Sequence, residues 1–321
     1  METRELGKTG LKVSALSFGA SALGSVFREI DEDEGIRAVH AALDAGINYF
    51  DVAPAYGGTK AEAVLGKALK GISRDRYALS TKAGKYTKPG AYGEDVLDYS
   101  EARIRAGLEE SMERLGVEYL DIVHLHDFEY QGFSMTERAF EEGFPALQKL
   151  KEEGKIGAVS AGIYPMELWF RVVEEAPVDA IMMHNHYCLN DTRGLELVEG
   201  CAKRGIGIIS ASPFASGVLT GGAIADWHPS DEADRAVFAA AARHCEAKGS
   251  SLAKLAFQFA SQNHPFATTM FSTARTASVA RNLQWFEEPI DEVLLAEVSE
   301  LLKPVKDKQW NYDAGVDRLK D

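Results

Sequence analysis

Gly46-Ile47-Asn48-Tyr49-Phe50-Asp51 is a glycine, a short apolar run and an acid, and the chain repeats this plan. A glycine just past a helix adopts the left-handed conformation that closes it, and an apolar run too short for a helix reads as a buried strand. Gly71, Gly116, Gly154 and Gly205 likewise end amphipathic segments, and Tyr77-Ala78-Leu79-Ser80, Leu120-Asp121-Ile122-Val123, Ile156-Gly157-Ala158-Val159 and Ile206-Gly207-Ile208-Ile209 follow them. Gly249 closes a further amphipathic segment. Ala15-Leu16-Ser17-Phe18, Ala180-Ile181-Met182-Met183 and residues 267–271 bring the count to eight strands. Eight strands alternating with helices over 321 residues predict an α/β fold, a (β/α)8 TIM barrel. Its typical size of roughly 250 residues leaves about 70 for additions. Residues 1–13, with a Lys8-Thr9-Gly10 turn, form an N-terminal hairpin plugging the barrel bottom in this reading. Residues 231–248 and 290–303 are extra helices, and 304–321 is a polar C-terminal tail over the barrel mouth, either a lid or free chain. Thr59-Lys60-Ala61-Glu62 and Ser134-Met135-Thr136-Glu137 fit the capping box that opens a helix. The rival is a doubly wound open sheet, but Phe18-Gly19-Ala20-Ser21-Ala22-Leu23-Gly24 matches its glycine-rich fingerprint poorly.

Nothing in the composition divides this unit, so 1–321 reads as a single domain. Acidic residues (49) outnumber Lys and Arg (35), for a net charge of −14, and an anionic partner such as nucleic acid or a membrane surface is not expected. No apolar stretch approaches the roughly 20 residues of a membrane span, and the N-terminus lacks the apolar region of a signal peptide, so a cytoplasmic protein is the expectation. Cys188, Cys201 and Cys245 form no Cys-x-x-Cys pair and read as reduced packing residues, with no metal site among them.

Polar residues at the C-terminal ends of barrel strands project into the site. Asp51 ends the second strand, Tyr56 lies in the loop beyond it, Lys82 ends the third strand and His126 ends the fourth. The strand period of two sets His124 on the same face as His126, one layer deeper. His124 thus reads as a hydrogen-bonded core histidine or a support for the site. A tyrosine titrates near about 10, and each unit of depression needs about 1.4 kcal/mol of extra phenolate stabilisation. Lys82 beside Tyr56 supplies it in this reading, while Asp51 keeps the lysine charged and oriented. His126 hydrogen-bonds the substrate oxygen. An acid/base group beside a carbonyl or hydroxyl carbon, with no nucleophile and no metal, suits hydride transfer with a nicotinamide.

Asp51-x4-Tyr56, Lys82 and His126 resemble the catalytic tetrad of the aldo-keto reductases, and the likeness runs from Leu6-Gly7-Lys8-Thr9-Gly10 to Gly217-Val218-Leu219-Thr220-Gly221. Within that family the chain looks most like the L-galactose dehydrogenase branch. The residues that carry this are the stretch from Phe18 to Phe27, His186-Tyr187, Ile209-Ser210-Ala211-Ser212-Pro213 and Trp227-His228-Pro229. The resemblance implies a (β/α)8 barrel that binds NAD(P) through Gly19, Ala20, Ser21, Asp51, Gly162, Ser210, Ser212, Pro213, Ser272, Ser278 and Asn282. It also implies substrate contacts from Tyr56, His126, Trp227 and His228. His184, His186, Tyr187, Trp310 and Tyr312 are further candidates for a sugar pocket, because an aromatic face stacks on the apolar side of a sugar.

The departures from the family bear on the cofactor. NADPH-preferring members hold the 2′-phosphate with a Lys and an Arg, ten and four residues before an Asn. Counting back from Asn282 gives Ser272 and Ser278, so NAD is expected over NADP, with Arg275 and Arg281 as the cations that could reverse this. The stretch Gly162-Ile163 replaces a Ser-Asn pair, Met182 or His184 stands for a Gln, and Ala211 replaces an aromatic that stacks on the nicotinamide.

The resulting expectation is NAD-dependent oxidation of an aldose, of L-galactose or L-fucose type, at C1 to the lactone. The alternatives are an NADPH-dependent aldehyde or ketone reductase and a cofactor-sensing interaction subunit without enzymatic activity. The partner is a small-molecule sugar, and the chain is a monomer or small homo-oligomer.

Overall fold

Sequence order becomes spatial order in the sheet. The computed structural model describes residues 1–26, 28–87, 96–262 and 264–312. Its barrel strands are β1 (Leu16–Gly19), β2 (Tyr49–Asp51), β3 (Ala78–Ala83), β4 (Leu120–His126), β5 (Ile156–Gly162), β6 (Ala180–His184), β7 (Gly207–Ala211) and β8 (Thr268–Ser272). Each pairs in parallel with the next, and β8 closes on β1 with Thr269 opposite Leu16 and Ser272 opposite Gly19. The TIM-barrel expectation holds and the open-sheet rival does not. Parallel closure follows from right-handed crossovers, each supplied here by a helix between strands. Gly116 and Gly205 close two of these helices at φ 70° and 71°, where a side chain would be strained.

The core has two shells. Leu43, Val64, Leu65, Ile104, Leu108 and Trp169 are among the residues that pack the helices onto the outside of the strands. Inside the cylinder, Tyr49, Ile122, Ile209 and Met270 meet Leu6 and Val13 from below. Those two come from the N-terminal hairpin, in which Thr3–Glu5 pairs antiparallel with Lys12–Ser14, so the bottom is stoppered as the sequence predicts. The extra helices are Glu232–Ala247 and Glu292–Leu302. Asp231 opens the first through a reciprocal capping box with Asp234.

Both capping boxes expected from the sequence are absent. Thr59 sits at φ 70° without a side-chain cap. Its partner Glu62 is buried and turned away, accepting from the Thr81 hydroxyl at 2.7 Å and from Arg114 at 2.6 Å. At the other site the helix begins at Thr136, whose hydroxyl donates to the Phe128 carbonyl, while Glu137 pairs with Arg171. Tertiary partners outbid the local cap in both.

The tail is docked as far as Tyr312. The Trp310 amide donates to the Tyr164 hydroxyl at 3.1 Å, Lys308 pairs with Asp234 at 2.7 Å, and the Tyr312 hydroxyl accepts from Asn185 at 3.1 Å. Residues 313–321, like Phe27 in the quoted N-terminal motif, lie outside the described residues. No helix among the described residues is long and apolar enough to cross a membrane.

Candidate active site

The barrel register brings the strand-end polar residues together. Asp51 pairs with Ser80, Lys82 with His124, and His126 with Gly162, so adjacent strands deliver their side chains to one patch of the C-terminal rim. Lys82 forms a buried ion pair with Asp51 and also donates to the Val52 carbonyl at 3.1 Å. Beneath it, Ser80 donates to Asp51 Oδ1 at 2.7 Å, which commits its proton, so the Tyr49 hydroxyl 2.9 Å away is the donor to Ser80. His124 lies 3.4 Å from the same Asp51 oxygen and 2.8 Å from the Ser160 hydroxyl. It is the hydrogen-bonded core histidine that the strand period implies, and it also braces Asp51.

Tyr56 reaches the patch on a loop whose path is dictated by a backbone crossing. A Cβ on Gly57, which has φ 64°, would meet the Gly24 carbonyl, and a Cβ on Gly24 would meet the Tyr56 carbonyl at 2.6 Å. Neither position has room for a side chain. The crossing holds the half-buried Tyr56 with its ring centroid 5.2 Å from the Lys82 ammonium and 6.3 Å from the His126 ring, edge to face. Gly57→Ala is expected to cost about 1–3 kcal/mol in stability through backbone strain and to lower turnover by displacing Tyr56; chemical denaturation and initial rates check both effects.

Electrostatics divide the group sharply. Burial alone would raise the Asp51 carboxyl, but Lys82 and His124 hold it down at about 2. Burial opposes the charge on Lys82, yet Asp51 and Tyr56 lift it above its ordinary value. Burial presses His126 down to about 3, so it is neutral, and its Nδ1 has no partner among the described residues. Tyr56 corrects the expectation of a depressed phenol. Desolvation raises it, Lys82 lowers it by charge and hydrogen bonding, and the anions Asp51 and Asp127 push it up again, leaving a net rise.

All four lie on the wall of one cavity of about 1020 Å³. Of the other candidates, Gly19, Ser21, Gly162, Ser212, Pro213 and Ser272 line it, and so do Met182, His184, Ala211, Trp227, Arg275 and Tyr312. Ser21 donates to Ser272 at 2.8 Å, tying the turn after β1 to the end of β8.

Several expected positions are not on the wall. Ala20 and Ser210 are buried, the former because its amide donates to the Asp51 carbonyl. Ser278 and Arg281 face each other on the helix Thr276–Glu287, and Arg281 lies over the Trp285 ring, so neither lines the cavity. Asn282, on the buried face of that helix, has its Oδ1 unpaired among the described residues. His228 is 2% exposed, bonded to Ser230 and packed against Trp310 and Tyr312, which place it behind the wall rather than in it. His186, Tyr187 and Trp310 are likewise packing residues.

Sequence reasoning missed several residues on the wall, among them the charged Arg28, Glu29, Asp31, Glu34, Lys85 and Asp127. Asp127 was findable, since it follows His126 at the strand end. Glu34 was not, because it arrives from the helix Glu32–Asp44 to accept the Thr276 amide at 2.8 Å.

The model of the Aldo/keto reductase family matches residues 15–303. The chain is 39% identical to the L-galactose dehydrogenase of Arabidopsis thaliana, covering 97% of each protein. It is 33% identical to the D-threo-aldose 1-dehydrogenase of a Pseudomonas species, covering 91% of this chain and 94% of that one. Among solved structures it is similar to the aldo-keto reductase AKR11C1 from Bacillus halodurans in its holo form, with a TM-score of 0.77 and 26% identity, covering 96% and 97%.

Proposed function

The chain belongs to the aldo/keto reductase family, and from that premise we propose that it oxidises an aldose of L-galactose or L-fucose type at C1 to the lactone with NAD⁺. The observation that carries this is the meeting of Tyr56, Lys82, Asp51 and His126 on one wall of a cavity of about 1020 Å³. The aldose enters through the likeness to two aldose dehydrogenases, and through Trp227 and Tyr312, aromatic faces of the kind that stack on a sugar.

The residues fit a nicotinamide dinucleotide. Gly19, Ser21, Ser212, Pro213 and Ser272 offer a small-residue, hydroxyl-rich wall for it. NAD⁺, when bound, supplies the hydride acceptor and a positive ring charge. Tyr56 as phenolate takes the proton of the C1 hydroxyl, and Lys82 stabilises that phenolate. Asp51 holds Lys82 in place, and neutral His126 donates to the substrate oxygen and fixes its direction.

The raised Tyr56 sets the sign of the pH dependence. Abstraction needs the phenolate, so oxidation is expected to climb with pH up to the ordinary tyrosine value of about 10 and beyond it, while the reverse reduction, which needs the phenol, stays level over that interval and falls only above it. His126 is already neutral and contributes no limb near neutrality. A flat rate of oxidation between about pH 7 and 10 removes Tyr56 from the proton transfer.

NAD over NADP rests on charge. Ser272 stands on the cavity wall where the family resemblance expects a cation, and the Glu34 carboxylate occupies the first amide of the helix that follows. Arg275 and Arg28 are opposing cations on that wall. Ser272→Lys is expected to tighten NADP⁺ binding about tenfold and leave NAD⁺ nearly unchanged, read as dissociation constants by fluorescence titration. The deciding experiment for the whole reading is a panel of aldoses including L-galactose, L-fucose and D-arabinose, with NAD⁺ or NADP⁺, followed by absorbance of the reduced cofactor. Turnover of aldehydes or ketones with NADPH, and of no aldose with NAD⁺, overturns it.

A further inference from the structure

Resting on the aldose reading, we propose that Asp127 and Lys85 form a subsite that selects the 2-hydroxyl of the sugar. Asp127 is the first residue beyond β4, and its φ of 53° is a left-handed conformation that Asp and Asn tolerate better than other side chains. That turn carries its carboxylate onto the cavity wall, with Oδ2 2.7 Å from Lys85 Nζ and Oδ1 3.3 Å from His126 Nε2. Burial would raise this carboxyl, but the Lys85 ammonium holds it down at about 2, so it is an anion throughout.

The pair also fixes where the histidine proton sits. Neutral His126 carries one ring proton, and Nδ1 has no acceptor among the described residues, whereas Nε2 faces a group that only accepts. The proton is therefore on Nε2. A sugar oxygen O1 that shares this proton with Asp127 lies beside the carboxylate, and that brings the neighbouring O2 of a vicinal diol toward Asp127 and Lys85. The O2 hydroxyl then donates to the carboxylate and accepts from Lys85, replacing what water gave both groups. A substrate with a methylene at C2 leaves the pair without that replacement, so the subsite rejects it. The activity assigned above needs only an oxidisable C1; this wall adds a requirement one carbon away.

The test uses the full chain with NAD⁺, and compares L-galactose with 2-deoxy-L-galactose in the wild type, Asp127→Asn and Lys85→Met. Asn keeps the backbone conformation and shape but loses the charge. The wild type is expected to prefer L-galactose through a lower KM, and Asp127→Asn to shrink that preference about tenfold, with Lys85→Met following in the same direction. Binding of NADH, followed by fluorescence, stays unchanged. A purely structural ion pair predicts parallel losses with both sugars, and an unchanged ratio overturns the subsite while leaving the aldose reading intact. A wild type that oxidises neither of these sugars nor any other aldose of the panel overturns both. Should Asp127→Asn fail to fold, the ratio in Lys85→Met decides.

Discussion

Tyr56→Phe is expected to lower turnover by about 10²- to 10⁴-fold, the contribution of a positioned acid/base group. The ring that faces Lys82 and His126 is retained, so the packing of the loop persists. Lys82 keeps Asp51 and the Val52 carbonyl as partners once the hydroxyl is gone. Cofactor affinity is therefore expected to remain that of the wild type, and a thermal melt should show only a small shift. Steady-state rates with L-galactose and a fluorescence titration with NADH separate the two effects. Undiminished turnover by this variant would falsify the role given to the phenol.

Lys82→Met carries the second large effect, and it falls on stability as well as rate. The ion pair it breaks has side chains only 2% and 3% exposed, so Asp51 is left as an uncompensated buried anion, at a cost of about 3–5 kcal/mol. The pH dependence is opposite in the two proteins. In the wild type Asp51 titrates near 2 in the fold and near about 3.9 when unfolded, so its contribution is present above that higher value and lost as the pH falls toward 2. In the variant, burial without Lys82 raises the folded value, and the deficit grows as the pH rises past the unfolded value. Adding Asp51→Asn to Lys82→Met is expected to restore much of the loss, because neither buried charge remains. Urea midpoints for the two single variants and the double variant, at acid and neutral pH, check this. A double variant no more stable than Lys82→Met removes the electrostatic explanation.

The legible parts of this fold are those that depend on local chain chemistry. Gly116 and Gly205 end helices because of their own backbone freedom, and the apolar runs between stops are strands wherever they occur. Asp51, Lys82 and His126 were readable because a strand end in such a barrel faces the mouth. What escaped depends on neighbours distant in sequence. The Thr59 cap was lost because Arg114 and Thr81 claim Glu62. The direction of the Tyr56 shift was missed because desolvation is a property of the enclosing cavity, and adjacency to Lys82 says nothing about it. His228 looked like a pocket residue beside Trp227, but the tail aromatics cover it.

The crossing of Gly24 and Gly57 welds two stretches of chain into one mechanical part. One stretch begins at Ser21, fastened to Ser272; the other carries the phenol. Whatever settles against the two serines leans on the same bracket that aims Tyr56.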